Sequence, residues 1–425
     1  MSKVEYMSRK RVPPTPILDD LESFGNPFKR MDFNTQPFFN NQKPVVGSQI
    51  DYEYALKFLY SYEGSKATFN AYRRELERLL QWCWRIEERS ILLMKREDIE
   101  EYIKFCINPP LSWIGTKSTS RFLNVEGERV PNKEWRPFLV TVGKDKFRKG
   151  VAPDRKDFIL SQAAIKGIFT ALSSFYDFLT QEMLLDANPI KLIRQKSKYI
   201  VKSQKVPDVR RISDLQWEYV IEAAEQLADD DPDSHERTLF AIYCLFSMYL
   251  RISELVADTN SIPYMSDFKR DHTRNWWFHV TGKGNKYRKI TVCDEMLSAL
   301  KRYRRFRGLS SLPAADEKEY LIPKLKGKGP IKDTKHIRNL VQLVFDNAYE
   351  LMMKDTLEVD AAELKTATVH WLRHTGISRD VVYRPREHVR DDAGHASMAT
   401  TDKYIESDER ERHASGKSKT IKEVF

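Results

Sequence analysis

The chain has 425 residues, enough for two or three domains, and 71 basic against 61 acidic side chains leave a net charge of +10. With 41% hydrophobic and 12% aromatic residues it can bury sizeable cores and is not a disordered chain, while the positive excess points to polyanionic partners, nucleic acid ahead of acidic membrane. Phe240–Leu250, the longest apolar run, has 11 residues where a spanning helix needs ~20; no apolar signal region follows Met1, and Cys83, Cys106, Cys244 and Cys293 stand singly, so a reduced cytosolic interior without a membrane span is expected.

Residues 1–48 hold six of the nineteen prolines and no sustained period, which predicts an extended or disordered N-terminal arm. Helical pattern begins near Tyr52. From Ser65 to Trp84, Tyr72, Leu76, Leu79, Leu80 and Cys83 make an apolar stripe, with Arg73, Arg74, Glu77 and Arg78 facing away from it. Further helices are expected over 95–105 and 161–181. Between 108 and 158 the period is lost among five prolines, with a β-like run at Phe138–Val142, so this stretch reads as an insertion in a helical domain spanning 49–190.

Residues 191–211 carry eight basic side chains and one acid, and read as a basic interdomain linker. A solvated linker and a segment that tracks a phosphate backbone, through Lys196, Lys198, Lys202, Lys205, Arg210 and Arg211, both fit that composition. A second domain spans 212–407, with helices expected over 214–227, 236–250, 336–354, 370–382 and 400–405. A hairpin is expected from strands 276–281 and 288–292 around Gly282-Lys283-Gly284-Asn285. Residues 408–425 form a charged tail. The fold class expected is mainly α with a small antiparallel β-sheet in the second domain.

Arg251 ends a strongly apolar helix and must be paired or face a charged ligand, because an unmatched buried guanidinium is costly. Glu254, three residues on, is its natural partner; that ion pair could be the whole role. Lys283, between two glycines, can approach a phosphate or simply mark a turn. The last 56 residues hold five of the nine histidines, with His370 and Arg373 one helical turn apart. No Glu or Cys completes a His-Glu-x-x-His spacing, so no metal is expected. Arg251, Lys283, His370, Arg373, His395 and Tyr404 together make an inventory for metal-free phosphoryl transfer, in which cations neutralise phosphorane oxygens and the tyrosine supplies the nucleophile.

In order and wording these motifs resemble the tyrosine recombinase (phage integrase) family. Leu250-Arg251-Ile-Ser-Glu254 resembles its first arginine box, Thr281-Gly-Lys283-Gly its hairpin lysine, His370-Trp-Leu-Arg373-His374-Thr-Gly376 its His-x-x-Arg box, and Gly394-His395 through Tyr404 its final segment. Tyr249 and Leu250 stand where the family commonly has Thr-Gly-Leu, and Ala393 where it has leucine. The resemblance is firm over roughly 210–410 and looser over 50–190.

It implies a two-domain, C-shaped clamp on double-stranded DNA recombination sites. Tyr404 would form a 3′-phosphotyrosine, Arg251 and Arg373 grip the scissile phosphate, Lys283 protonate the leaving 5′-oxygen, His370 serve in acid–base transfer with Tyr404, His395 bond the phosphate, and Glu254 buttress Arg251. No cofactor would be needed. A homotetramer on DNA, DNA-bending or partner recombinase proteins as accessories, a bacterial nucleoid setting, and tail docking on a neighbouring protomer would follow. The alternatives are a type IB topoisomerase-like enzyme, which needs no paired sites, and a non-catalytic architectural DNA-binding protein.

Overall fold

The computed structural model describes residues 12–23, 45–143, 146, 149–196, 198–200, 211–258, 261–282, 286–404 and 416–417. The chain divides into two units, Met1–Gln204 and Lys205–Phe425. Both are built mainly from helices, with small sheets, as the sequence pattern predicts.

In the first unit α1 (Ser48–Tyr60), α2 (Lys66–Trp82), α3 (Arg96–Ile107), α4 (Gln162–Gln181) and α5 (Pro189–Lys196) enclose a core that includes Leu56, Phe69, Leu76, Leu80, Tyr102 and Phe175. A π-helical turn, Cys83–Glu87, extends α2 and carries the predicted stripe to Cys83. The Ser161 hydroxyl accepts from the Ala164 amide and starts α4 at the expected place.

Of the predicted polar face of α2, Arg74 meets water but the rest does not. Arg73, Glu77 and Arg78 are buried, because the chain supplies partners from two other places. From the N-terminal segment, the amide of Ile17 donates to Glu77 at 2.6 Å, and Arg73 pairs with Asp20 at 2.6 Å. From the insertion, Arg121 pairs with Glu77, and the Pro137 carbonyl accepts from Arg78 at 2.9 Å. Within the arm expected to be extended or disordered, residues 14–20 are therefore packed and lead into a 3-10 turn, Leu21–Ser23, with Ile17 and Leu18 buried.

The insertion is likewise anchored. It holds strand β1 (Ile114–Gly115), the antiparallel hairpin of β2 (Phe122–Val125) and β3 (Glu128–Pro131), and β4 (Phe138–Leu139), which pairs in parallel with β1. Trp113 and Phe138 fix it to the unit's core. The expected linker also starts late: α5 runs to Lys196, and Ile190 and Ile193 bury themselves in this unit. Ile190 and Ile193 anchor the first six residues of that stretch, while residues 197 and 201–210 lie outside the described residues.

In the second unit α6 (Asp214–Asp230) begins at a Ser213–Gln216 capping box and pairs with α7 (Pro232–Ser247). An antiparallel sheet follows in the order β5 (Phe268–Arg270), β6 (Trp276–Gly282), β7 (Lys286–Thr291). The β6–β7 hairpin matches the predicted one; β5, three residues long, gave no readable alternation. Then come α8 (Asp294–Phe306), α9 (Thr334–Lys354), α10 (Glu358–Leu364), α11 (Val369–Tyr383), α12 (Arg386–Ala393) and the single turn α13 (Met398–Thr401). The core of this unit includes Phe240, Leu245, Phe278, Ile290, Val344 and Leu372.

Candidate active site

α7 stops at Ser247, three residues before the sequence pattern ends it, and Tyr249 turns the chain with a left-handed φ of 50°. Arg251 and Glu254 therefore sit on a loop and a 3-10 turn (Ile252–Glu254), not on a continuing helix. Glu254 is buried and all four of its acceptor positions are used. Oε1 accepts from Arg251 Nη1 and Arg288 Nη1, each at 2.9 Å. Oε2 accepts from the Arg251 amide and Arg288 Nη2, each at 2.8 Å. Burial raises this carboxyl, but the Arg288 hydrogen bonds and charge, joined by Arg251, outweigh it and hold it below the usual range. Arg251 keeps Nη2 lightly engaged, 3.4 Å from the Gly394 carbonyl, with 28% of its side chain exposed, which leaves it able to meet an anion.

His370, Arg373 and His374 fall at i, i+3 and i+4 on α11 and share a face. That helix lies close against the end of α7, because a Cβ on Gly376 would overlap the Phe246 carbonyl. Arg373 is buried; Nη1 donates to the Tyr249 carbonyl and Nη2 to the Ala393 carbonyl at 2.7 Å. Burial and the neighbouring Arg251 pull its pKa down to about 10, so it stays a cation at neutral pH. Behind it the Tyr249 hydroxyl donates to Asp380, and Arg384 joins both to Asp392, which it meets at 2.6 Å.

Gly394 ends α12 with φ 64°, a left-handed cap that turns His395 back toward Arg373. The His395 Nε2 lies 3.4 Å from Arg373 Nη2, and its Nδ1 lies 2.9 Å from the Thr401 hydroxyl. A guanidinium only donates, so Nε2 accepts and Nδ1 bears the proton of the neutral ring. α13 and a 3-10 turn, Asp402–Tyr404, bring Tyr404 in, 7% exposed, with its ring stacked on His395 at 5.7 Å between centroids. Burial raises the phenol's pKa against the lowering pull of Arg373 and Arg251. Its hydroxyl lies 2.7 Å from Nδ1 of His374.

Of the residues singled out in the sequence, the structure brings Arg251, Glu254, Arg373, His395 and Tyr404 together. His370 is exposed one turn earlier, its ring centroid 6.3 Å from that of His374, and His374 is the histidine that meets the Tyr404 hydroxyl. Arg288, which completes the Glu254 cluster, gave no sequence signal beyond a basic residue in the return strand; the alternation of β7 could have marked it as inward-facing. Lys283 lies outside the described residues, between the ends of β6 and β7, as do Lys202, Lys205, Arg210 and most of the tail. Among the basic-segment candidates, Lys196 ends α5, Lys198 is exposed over the Tyr199 ring and 4.0 Å from Glu100, and Arg211 is exposed.

Two guanidinium groups, a neutral imidazole and a phenol on one locus can neutralise a phosphodiester and present a nucleophile to it. No family model matches the chain. It is 25% identical over 251 residues to tyrosine recombinase XerC of Bacillus subtilis (strain 168), 57% of this chain and 72% of that protein. It is 28% identical over 239 residues to XerC of Leptospira interrogans, 56% of this chain and 65% of the relative. Among solved structures, the XerH site-specific recombinase bound to palindromic difH substrate aligns with TM-score 0.51 and 14% identity, covering 87% of this chain and 84% of that one. The Tn1549 transposon integrase in complex with a circular intermediate DNA aligns with TM-score 0.50 and 17% identity, covering 86% and 98%. The fold is that of DNA-strand recombinases of the integrase type. In sequence the chain is similar to tyrosine recombinases over somewhat more than half of its length.

Proposed function

We propose that the chain is a site-specific DNA recombinase that cuts and rejoins strands through a 3′-phosphotyrosine on Tyr404. The observation that carries this reading is the gathering of Arg251, Arg373 and His395 around the Tyr404 phenol, with Arg251 held by Glu254 yet still facing solvent. Tyr404 Oη attacks the scissile phosphorus and the bond from phosphorus to the 5′-oxygen breaks. Arg251 and Arg373 take the non-bridging oxygens, and His395 adds a hydrogen bond to them once its ring proton moves from Nδ1 to Nε2, with Thr401 then donating to Nδ1. The leaving oxygen takes its proton from Lys283, assigned by the Thr281-Gly-Lys283-Gly motif alone. Attack by a 5′-hydroxyl on the phosphotyrosine reverses these bonds, so rejoining needs no energy source.

The partners proposed are two double-stranded recombination sites and further copies of this chain, as a tetramer exchanging strands through a Holliday junction, with accessory DNA-bending or partner recombinase proteins. Lys196, Lys198, Lys202, Lys205, Arg210 and Arg211 would follow the phosphate backbone. The biological role would be integration, excision or resolution of a mobile element, in a bacterial nucleoid.

The test places two copies of the DNA flanking the chain's own gene on one supercoiled plasmid. A recombinase yields excised or inverted product with wild type and none with Tyr404→Phe. Relaxation of any supercoiled plasmid without a recombinant product would favour the topoisomerase reading. Binding with neither outcome would favour an architectural protein.

A further inference from the structure

We propose that His374, not His370, is the base that takes the proton from Tyr404. The inference rests on the phosphotyrosine reading above. His374 Nδ1 lies 2.7 Å from Tyr404 Oη, within the reach a general base needs before any substrate arrives. The phenol is the donor in that bond, its pKa pushed above the ordinary value chiefly by burial, so Nδ1 must present its lone pair and the ring proton sits on Nε2.

The imidazole is free to receive a proton at neutral pH. Burial, then the facing His370 and Arg373, pull its pKa down to about 4. The helix that carries the ring is also anchored: His374 is half-buried on α11, one residue after Arg373, whose own guanidinium is tied to the carbonyls of Tyr249 and Ala393. His370 has none of this geometry. It is exposed, and the ring it approaches is that of His374, at 6.3 Å between centroids, not that of Tyr404.

In the step, Tyr404 Oη forms its bond to phosphorus while its proton passes to His374 Nδ1, giving an imidazolium. Burial, His370 and Arg373 disfavour that cation, and the negative charge of a phosphate beside Arg373 and Arg251 favours it. On rejoining, the proton returns to the departing phenolate.

The test exploits the shape of asparagine, whose Oδ1 falls near the place of Nδ1 and accepts a hydrogen bond but takes up no proton. Wild type, His374→Asn, His374→Ala, His370→Asn and Tyr404→Phe are each mixed with DNA carrying the sequences that flank the chain's own gene. The rate of covalent adduct formation is followed under single-turnover conditions, with DNA affinity measured in parallel. A base predicts that His374→Asn cuts about 100-fold or more slowly than wild type, as far down as His374→Ala, with affinity unchanged; general-base losses run about 10²–10⁴-fold. A His374→Asn rate within about threefold of wild type would overturn the inference, because a hydrogen bond would then suffice. Absence of adduct from wild type itself would count against the phosphotyrosine reading rather than this one.

Discussion

Arg288→Met isolates the electrostatic frame of the site. Glu254 is buried, and two of its four acceptor positions are filled by Arg288 Nη1 and Nη2, at 2.9 and 2.8 Å. Methionine replaces most of the stem and none of the charge. It vacates one hydrogen bond on each carboxylate oxygen and a third, from Arg288 Nε to the Asp392 carbonyl at 3.0 Å. Breaking one partner from a buried ion pair costs about 3–5 kcal/mol, because the remaining charge stays uncompensated. Arg251 stays bound to Glu254 and offsets part of this, so the lower end, about 3 kcal/mol, is expected. Urea unfolding followed by circular dichroism reads it directly. With an m-value of about 2–3 kcal/mol/M, the midpoint of the second unit's transition falls by about 1 M. Adding Glu254→Gln to Arg288→Met recovers part of the loss, since no carboxylate is then stranded. A midpoint within about 0.2 M of wild type would refute the reasoning, because the Glu254 cluster would then be solvated and of no structural weight.

Two further outcomes follow from the same geometry. Gly376→Ala drives a methyl group into the Phe246 carbonyl, which is backbone and has little room to yield; a loss of about 3 kcal/mol or more is expected in the same urea titration, and a loss below about 0.5 would contradict the close packing of α11 on α7. The buried imidazoles set an acid limit. His374 and His395 both titrate at about 4, lowered first by burial, then by His370 and Arg373 around the former and by Arg373, Arg251, His374 and Arg288 around the latter. Unfolded histidines titrate near 6.5, so between about 6.5 and 4 the unfolded chain binds more protons than the folded one. Stability is therefore full above about 6.5 and is lost as pH falls toward 4. Melting temperatures of wild type and His395→Asn, measured from pH 7.5 to 4, should converge as pH falls; parallel curves would contradict it.

The local groupings of the candidate site were the most legible part of the sequence, because each candidate residue sits in a short local motif. One helical turn joins His370, Arg373 and His374, and three residues join Arg251 to Glu254, so local spacing was enough to propose their proximity. What the spacing did not carry were contacts made across the fold. Arg288 reaches Glu254 from 34 positions away, and Tyr249 meets Asp380 from 131 away. His374 was visible as a histidine in the right box, yet its 100° rotation from Arg373, which points it at Tyr404 in place of His370, depends on where the last turn brings the tyrosine. In the first unit, Arg73, Glu77 and Arg78 looked like a solvated helix face because their partners lie in residues 12–23 and in the insertion. Charge on an amphipathic helix marks a polar face and says nothing of whether another part of the chain covers it. Of the elements missed, β2, β3, β5, α5, α10 and α12 are too short for a period to show, whereas α8 has 13 residues and an apolar stripe at Met296, Leu300 and Tyr303 that was readable and was overlooked.

The central claim is covalent capture of DNA by Tyr404. Wild type and Tyr404→Phe are incubated in EDTA with supercoiled DNA carrying the sequences that flank the chain's own gene, stopped with detergent, and examined for protein attached to DNA. An adduct formed by wild type and absent from Tyr404→Phe is the predicted result. An adduct that persists in Tyr404→Phe would contradict the assignment of the nucleophile, and DNA binding without any adduct would contradict the cleavage reaction itself.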